Sequence, residues 1–278
     1  MKLESGLYVT ATPIGNLKDI TLRALEVMEN AEGIYCEDTR VTSKLLNHYG
    51  FKTKLHPYHE HNAQSVRPRI LDRIAAGDAV VLVSDAGTPL ISDPGYKLVK
   101  EAHERGLRVT TLPGPSAMIA ALTLAGLPTD RFMFVGFTPN KTKARKDFLR
   151  PLSGVPTTLV FYEGPSRVAA SLADMAEVLG ASREAALCRE ITKTFEEVRR
   201  GSLRELADHY ASVPAPKGEV VIVVGPPLTD DMSDNAVEAA LRDALETQSV
   251  KGAATMIAEV SGRPRKELYQ WALRIKDE

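Results

Sequence analysis

Short, β-branched apolar runs alternate along the first half of the chain with segments whose apolar residues recur every three to four positions. Gly6–Thr12 (GLYVTAT) predicts a strand that ends at Pro13. Ile20–Ala31 places Ile20, Ala24, Val27, Met28 and Ala31 on one helical face. Gly33–Asp38 predicts a second strand, Thr39–Tyr49 a helix stopped by Gly50, and Leu55–His61 a strand running into a loop. Asp78–Ser84 (DAVVLVS) is a continuous apolar run, the pattern of a strand buried on both faces. Tyr96–Arg105 is helical up to Gly106, and Leu107–Leu112 is a further strand. This alternation predicts an α/β fold with a largely parallel sheet covered on both sides.

Pro113-Gly114-Pro115 interrupts the chain and marks the expected boundary between a domain over 1–114 and one over 115–227. Ser116–Ala125 is a helix of small residues at that junction. The second half repeats the logic. Strands are predicted at Arg131–Phe137, Thr157–Tyr162, Ala185–Glu190 and Glu219–Val224. Helices are predicted at Lys141–Arg150, Ser166–Leu179 and Leu203–Tyr210, the last opened by a Ser202/Glu205 capping box. Pro226-Pro227 closes the domain. The remainder, 228–278, changes character. Leu228–Glu246 holds six acids and one base, and the chain then turns basic at Arg263, Arg265 and Lys266. Lys251–Val260 and Pro264–Ile275 have helical spacing around Gly262, with Ala258 and Gly262 placed as in a helix-turn-helix. An ordinary helical hairpin explains that spacing equally well.

Composition narrows the class. At 278 residues, 44% hydrophobic and 26% charged, the chain is long enough to bury sizeable cores and is not globally disordered. A net charge of −1 excludes a uniformly basic nucleic-acid coat but leaves room for a local basic patch. Two cysteines, Cys36 and Cys188, give no disulfide framework and suit a reducing compartment. With no signal-peptide pattern and no apolar stretch of transmembrane length, the expectation is a cytoplasmic protein of more than one domain without a membrane span.

Five segments carry candidate chemistry. Ser84-Asp85-Ala86-Gly87-Thr88-Pro89, continuing to Ser92-Asp93-Pro94-Gly95, follows the clearest strand, where ligands bind in open α/β sheets. Its small residues allow close backbone approach, and Asp85 suits a hydroxyl or ammonium group. An ordinary Gly/Pro turn is the plainer alternative. Thr12–Leu17 (TPIGNL) ends the first strand; it is neither a G-x-G-x-x-G nor a P-loop string, which disfavours nicotinamide, flavin and P-loop chemistry. Cys36–Arg40 (CEDTR) offers paired carboxylates beside an arginine, or simply a helix N-cap at Asp38 or Thr39. His56, His59 and His61 cluster with Glu60 and Asn62. H-x-x-H-x-H lacks helical metal-site spacing and cysteine partners, so a polar loop facing a substrate cleft is expected, with zinc the lesser alternative. Asn140–Arg150 holds five bases and one acid. It is a solvated face or, with Arg199-Arg200 and Arg263–Lys266, a phosphate-neutralising surface.

Taken together, Thr12–Thr21 (TPIGNLKDIT), Cys36–Arg40, Ser84–Gly95 (SDAGTPLISDPG), Leu112–Ala117 (LPGPSA), Phe161–Arg167 (FYEGPSR) and Cys188–Lys193 (CREITK) resemble, in order and spacing, the bacterial ribosomal RNA small subunit methyltransferase I family. That family is a branch of the tetrapyrrole methylase superfamily. The resemblance covers nearly the whole chain, and 228–278 looks like the branch's helix-turn-helix-like extension. It implies two α/β domains with S-adenosylmethionine in the cleft between them. The activity implied is 2′-O-methylation of a cytidine in the decoding region of 16S rRNA, on free rRNA or the small ribosomal subunit, by a homodimer.

Carried over residue by residue, the resemblance implies cofactor contacts from Pro13, from Asp85, Ala86, Gly87 and Thr88, from Ser116 and Ala117, and from Tyr162 and Leu187. Porphyrin-acting relatives carry a G-x-G-D-P loop. This chain reads Asp85-Ala86-Gly87-Thr88-Pro89, a departure that favours RNA. No Lys-Asp-Lys-Glu tetrad can be read. Glu37, Asp38, Arg40 and Glu60, with His59 behind them, are the candidates for orienting or deprotonating the ribose hydroxyl. Lys141, Lys143, Arg145, Lys146, Arg263, Arg265 and Lys266 are the candidates for RNA contact. The alternatives are a methyltransferase acting on a tetrapyrrole or other small molecule, and a non-catalytic RNA-binding module on the same fold.

Overall fold

The computed structural model of the protein describes residues 2–228 and 234–277. The chain divides into two compact units, Met1–Pro226 and Pro227–Glu278. The first unit holds two five-stranded sheets, one in each lobe.

In the first lobe β1 (Gly6–Thr10), β2 (Gly33–Cys36), β3 (Leu55–Pro57), β4 (Ala79–Val83) and β5 (Val109–Leu112) pair in the order β3-β2-β4-β1-β5. Every pairing is parallel. Helices α1 (Leu22–Asn30) and α2 (Thr39–Tyr49) bury Ala24, Val27, Met28, Leu45 and Leu46 on one face. Helices α3 (Ala63–Ala75) and α4 (Tyr96–Glu104) bury Ile70, Leu71, Ile74, Leu98 and Ala102 on the other. Apolar residues on both faces explain why β4 reads as an unbroken run. Helix α3 has no clear signature in the sequence, because an internal Pro68 and four charged side chains break up its apolar stripe.

Past β5 the chain crosses into α5 (Ala117–Ala125), which packs on the second sheet. That sheet comprises β6 (Phe132–Phe137), β7 (Thr158–Glu163), β8 (Glu184–Arg189), β9 (Glu197–Ser202) and β10 (Val220–Val224), in the order β6-β7-β10-β8-β9. Only β6–β7 is parallel; the other three pairings are antiparallel. The second half therefore repeats the layering of the first but not its strand directions. Strand β9 (EVRRGS) goes unread in the sequence. It is a half-exposed edge strand, and its charges are of the kind that protect edges from further pairing. Helices α6 (Thr142–Leu149), α7 (Val168–Leu179) and α8 (Leu203–Ser212) cover one face of this sheet. The expected Ser202/Glu205 capping box opens α8. On the opposite face Ala121, Leu122 and Ala125 of α5 pack with Val160, Ala186, Cys188, Val221 and Val223, and Ile14 of the first lobe joins this cluster.

The second unit contains α9 (Asp234–Thr247), α10 (Val250–Ser261) and α11 (Arg265–Asp277) around Val237, Leu241, Ala253, Ala254, Ile257, Leu268 and Ala272. Gly262, at φ 68°, ends α10 and donates its N–H to the Ala258 carbonyl, giving the helix-turn-helix corner. Among the described residues no helix is long and apolar enough to cross a membrane.

Candidate active site

Strands β1 and β4 are neighbours whose following helices lie on opposite faces of the first sheet. That is a topological switch point, where the loops diverge and leave a crevice at the carboxyl ends of the strands. The two loops are tied together by a reciprocal pair. Thr12 N–H donates to Gly87 O at 2.9 Å, and Gly87 N–H to Thr12 O at 3.0 Å. Thr12 Oγ1 donates to Ser84 O, and Thr88 Oγ1 to Pro115 O at 3.1 Å, which anchors the loop to the crossover. Gly87 sits at φ 79°, a left-handed conformation that favours glycine.

Above this loop lies a cavity of about 330 Å³ between the lobes. Ala86, Gly87, Thr88, Ser116, Ala117 and Tyr162 all line it, as do Ile14, Asp93, Phe137 and the segments 163–165 and 218–221. The size falls within the range of small-ligand sites. Tyr162 is held edge-on by Phe134 and Phe137, at 4.8 and 5.6 Å between ring centroids. An apolar wall on the second lobe, small residues below and the Asp93 carboxylate suit a purine nucleoside bearing a cationic tail. S-adenosylmethionine, with its sulfonium and ammonium, has that chemistry.

Asp93 stands inside the SDAGTPLISDPG string, but no feature of the sequence distinguishes it from its neighbours. Its carboxyl is pushed up to about 6 by burial, with the carboxylates of Glu37 and Asp85 adding to the effect. It is carried by a loop in which Leu90 (φ 74°) and Ser92 (φ 64°) are left-handed without being glycine, a strained backbone held by its surroundings. The remaining unanticipated lining comes from segments brought together only by the lobe packing.

Three implied cofactor contacts are placed differently. Pro13 and Asp85 line a smaller adjoining pocket of about 200 Å³ with Thr42 and Lys44. Asp85 Oδ1 accepts the N–H of Asp38 at 3.0 Å, so it braces the turn from β2 into α2. Leu187 is fully buried among Phe161, Leu206 and Ile222, on the face covered by α7 and α8, because strand alternation turns its side chain away from the cleft.

A second, open crevice of about 550 Å³ shares Ser92 and Asp93 with the cavity between the lobes. Glu37, His59, Glu60 and His61 line it. Burial, Asp85 and Glu60 push the Glu37 carboxyl up, partly offset by His59. His59 has a buried Nδ1 without a hydrogen-bond partner. Asp38 and Arg40 do not join this group. Asp38 caps α2 through the Arg40 N–H and pairs with the Arg40 guanidinium at 2.6 Å, which holds its carboxyl at about 2 and makes it a poor base. His56 instead stacks on Tyr35. Among the described residues no three His, Cys, Asp or Glu side chains converge to hold a metal ion.

The basic candidates also divide. Arg145 is buried: it pairs with Asp174 at 2.7 Å and donates to the Pro139 and Asn140 carbonyls. It is a core residue, not an RNA contact. Lys146 pairs with Glu177 and Lys143 with Asp147, so much of the α6 charge is neutralised internally, while Lys141 is exposed. Arg199 pairs with Glu197, and Arg200 donates to the Leu124 carbonyl. Arg263 pairs with Asp234 and lies over Trp271. Arg265 and Lys266 stand exposed in the first turn of α11.

Comparison with known proteins places this geometry. The profile of the tetrapyrrole (corrin/porphyrin) methylases matches residues 6–207, and that of the RsmI C-terminal helix-turn-helix domain matches 231–276. The ribosomal RNA small subunit methyltransferase I of Mesorhizobium japonicum is 49% identical over 99% of this chain and 94% of its own length. That of Erythrobacter litoralis is 50% identical over 99% and 96%. Among solved structures, the uroporphyrin-III C-methyltransferase of Thermus thermophilus complexed with S-adenyl homocysteine aligns at a TM-score of 0.53, covering 78% of this chain and 96% of that one. At 21% identity this last likeness is one of fold alone. A two-lobed fold shared with the porphyrin enzymes, joined to full-length kinship with the ribosomal proteins, leaves one assignment: the chain belongs to the tetrapyrrole (corrin/porphyrin) methylase family, within its ribosomal RNA small subunit methyltransferase I branch.

Proposed function

We propose that the chain transfers the methyl group of S-adenosylmethionine to the ribose 2′-oxygen of a cytidine in the decoding region of 16S rRNA, acting in the cytoplasm on rRNA or the small ribosomal subunit. The observation that carries this reading is the junction of the two hollows at Asp93. A cavity sized for the donor and a wider crevice able to admit a nucleotide share Ser92 and Asp93 as lining.

When bound, S-adenosylmethionine supplies a methyl group already activated on sulfur. The residues around it align and deprotonate. Gly87 and the Thr12 bridge fix the loop beneath the cavity, where Tyr162 would offer an apolar face to the adenine and Asp93 a carboxylate to the cationic end. In the crevice Glu37, whose raised carboxyl sits nearer the working pH than an ordinary glutamate, takes the ribose hydroxyl proton. His59 and Glu60 orient that hydroxyl. Alignment supplies much of the barrier reduction, and the base adds roughly 10²–10⁴-fold. Labelled methyl transfer is the direct test, with naked 16S rRNA, small subunits and porphyrin precursors assayed in parallel and the product nucleoside mapped. Label in a porphyrin and none in RNA would overturn the reading.

RNA contact falls to Lys141, Arg265 and Lys266 rather than to Arg145. Replacing Arg265 and Lys266 with alanine should weaken RNA binding and lower the salt slope by about 0.7–0.9 for each phosphate that the variant no longer neutralises. Arg145→Ala should instead destabilise the fold by about 3 kcal/mol, because it leaves the buried Asp174 carboxylate only Lys146, at 3.7 Å, in place of the guanidinium at 2.7 Å. An unchanged slope in the first variant, or an unchanged melting temperature in the second, would reverse these assignments.

The working form we propose is a homodimer. Edge strand β6 exposes Phe132 and Met133, and α5 on the same sheet exposes Ile119, apolar surface of the kind two-fold interfaces cover. Sedimentation of the free protein as a monomer would remove this part of the proposal.

A further inference from the structure

Two strings that the methyl-transfer reading leaves without a role, Gly15-Asn16 and Glu190–Lys193, meet where the two lobes join. Asn16 donates its N–H to Thr192 Oγ1 at 3.2 Å. The stem of Lys193 runs through the space beside Gly15. A Cβ at position 15 would overlap Lys193 Cγ, stand 2.9 Å from its Cε and 3.0 Å from Thr192 Oγ1. Gly15 is thus a notch for a lysine stem; it has no left-handed backbone to explain it.

The lysine head continues into the second lobe. Lys193 Nζ donates to Glu190 Oε1 at 2.7 Å and to Glu219 Oε2 at 2.9 Å. Glu190 Oε1 also accepts the Glu219 N–H at 3.1 Å, and its carboxylate occupies the space that a Cβ on Gly218 would need. The turn that carries Lys193 is left-handed at Glu190 (φ 51°) and Thr192 (φ 67°), and the Glu196 carboxylate accepts the Thr192 N–H at 2.7 Å. Both ends of this chain of contacts are walls of the cofactor cavity. Ile14, next to Gly15, lines it from the first lobe, and Gly218 and Glu219 line it from the second.

We propose that Lys193 is a positioning residue that sets the spacing of the two lobes around S-adenosylmethionine. Its stem keys the first lobe through the Gly15 notch, and its ammonium fixes Glu190 and Glu219 on the second. This latch rests on the reading of the cavity as the donor site. It touches neither the methyl group nor the ribose, so its effect falls on donor binding.

Calorimetry with S-adenosylmethionine and S-adenosylhomocysteine tests it, beside thermal unfolding of the same proteins. Lys193→Met keeps the stem and removes the charge. It should weaken both ligands about tenfold, on the scale at which sub-ångström misplacement is felt in a preorganised site, with the melting temperature near that of wild type. Lys193→Arg should recover part of the affinity. Gly15→Ala expels the stem and should weaken binding further. In turnover, Lys193→Met should raise the donor KM and spare kcat at saturation. Wild-type affinity in Lys193→Met, or a loss that merely follows a lowered melting temperature, overturns the latch and leaves the donor site standing. Absence of ligand binding by the wild-type protein would overturn the donor site and the latch together.

Discussion

Replacing Gly87 with valine is expected to weaken S-adenosylmethionine binding by about 10²–10³-fold in a protein that remains folded. Gly87 holds φ 79° at the turn whose N–H and C=O both bond to Thr12. A β-branched residue there is strained, at a cost of about 1–3 kcal/mol. Space adds to the strain. The Cβ alone would stand 3.3 Å from Ile14 Cγ2 and 3.7 Å from the Pro115 carbonyl, and the two γ-methyls of valine must go further, into Ile14 or into the cavity. The protein relieves both by peeling the loop from Thr12, which also displaces Ala86 and Thr88 from the cavity floor. A loss of about 10²–10³-fold in affinity follows from roughly 3–4 kcal/mol. Calorimetry on the variant, with circular dichroism to establish folding, checks this; unchanged affinity would mean that the donor does not rest on this loop.

The second large effect belongs to Asp93. Its carboxyl, raised to about 6 without a ligand, must ionise to meet a cationic donor. Burial and the carboxylates of Glu37 and Asp85 oppose that ionisation in the free protein, and a bound cation relieves the opposition. Above about pH 6 the carboxylate is already formed and affinity is flat; below it, binding must expel a proton and affinity falls by about tenfold per pH unit. Asp93→Asn should bind weakly at every pH and lose the step. A step that persists in Asp93→Asn would transfer the titration to Glu37, the other carboxyl of the pair with a raised value.

The layers of the fold were legible because burial on two faces writes itself into composition. Asp78–Ser84 and Glu219–Val224 are rich in apolar residues since each strand lies mid-sheet under helices. The helix stops at Gly50 and Gly262 were readable for a similarly local reason, since both residues adopt left-handed φ. Elements that obey a different constraint escaped. Strand β9 carries charges because it is an edge, and α3 hides its three buried residues among arginines and a proline.

At the site, the sequence marked the right loops but not which atoms face the ligand. CEDTR left open a pair of carboxylates or a helix N-cap at Asp38 or Thr39. Folding splits it, sending Asp38 to cap a helix and Glu37 into the crevice. NKTKARK promised a basic face, and folding buries its one arginine against Asp174.

What the sequence by itself determined is therefore local and periodic: element types, the turn glycines, the break at Pro113–Pro115 and the strings that identify the family. Tertiary structure alone decided the mixed, mostly antiparallel pairing of the second sheet, the inward or outward face of Leu187, the raised carboxyl of Asp93 and the seating of Lys193 against Gly15. The physical reason is range. Propensity and periodicity act over a few neighbours, whereas strand pairing, desolvation and a notch filled from more than 170 residues away depend on which distant surfaces the packed core brings into contact.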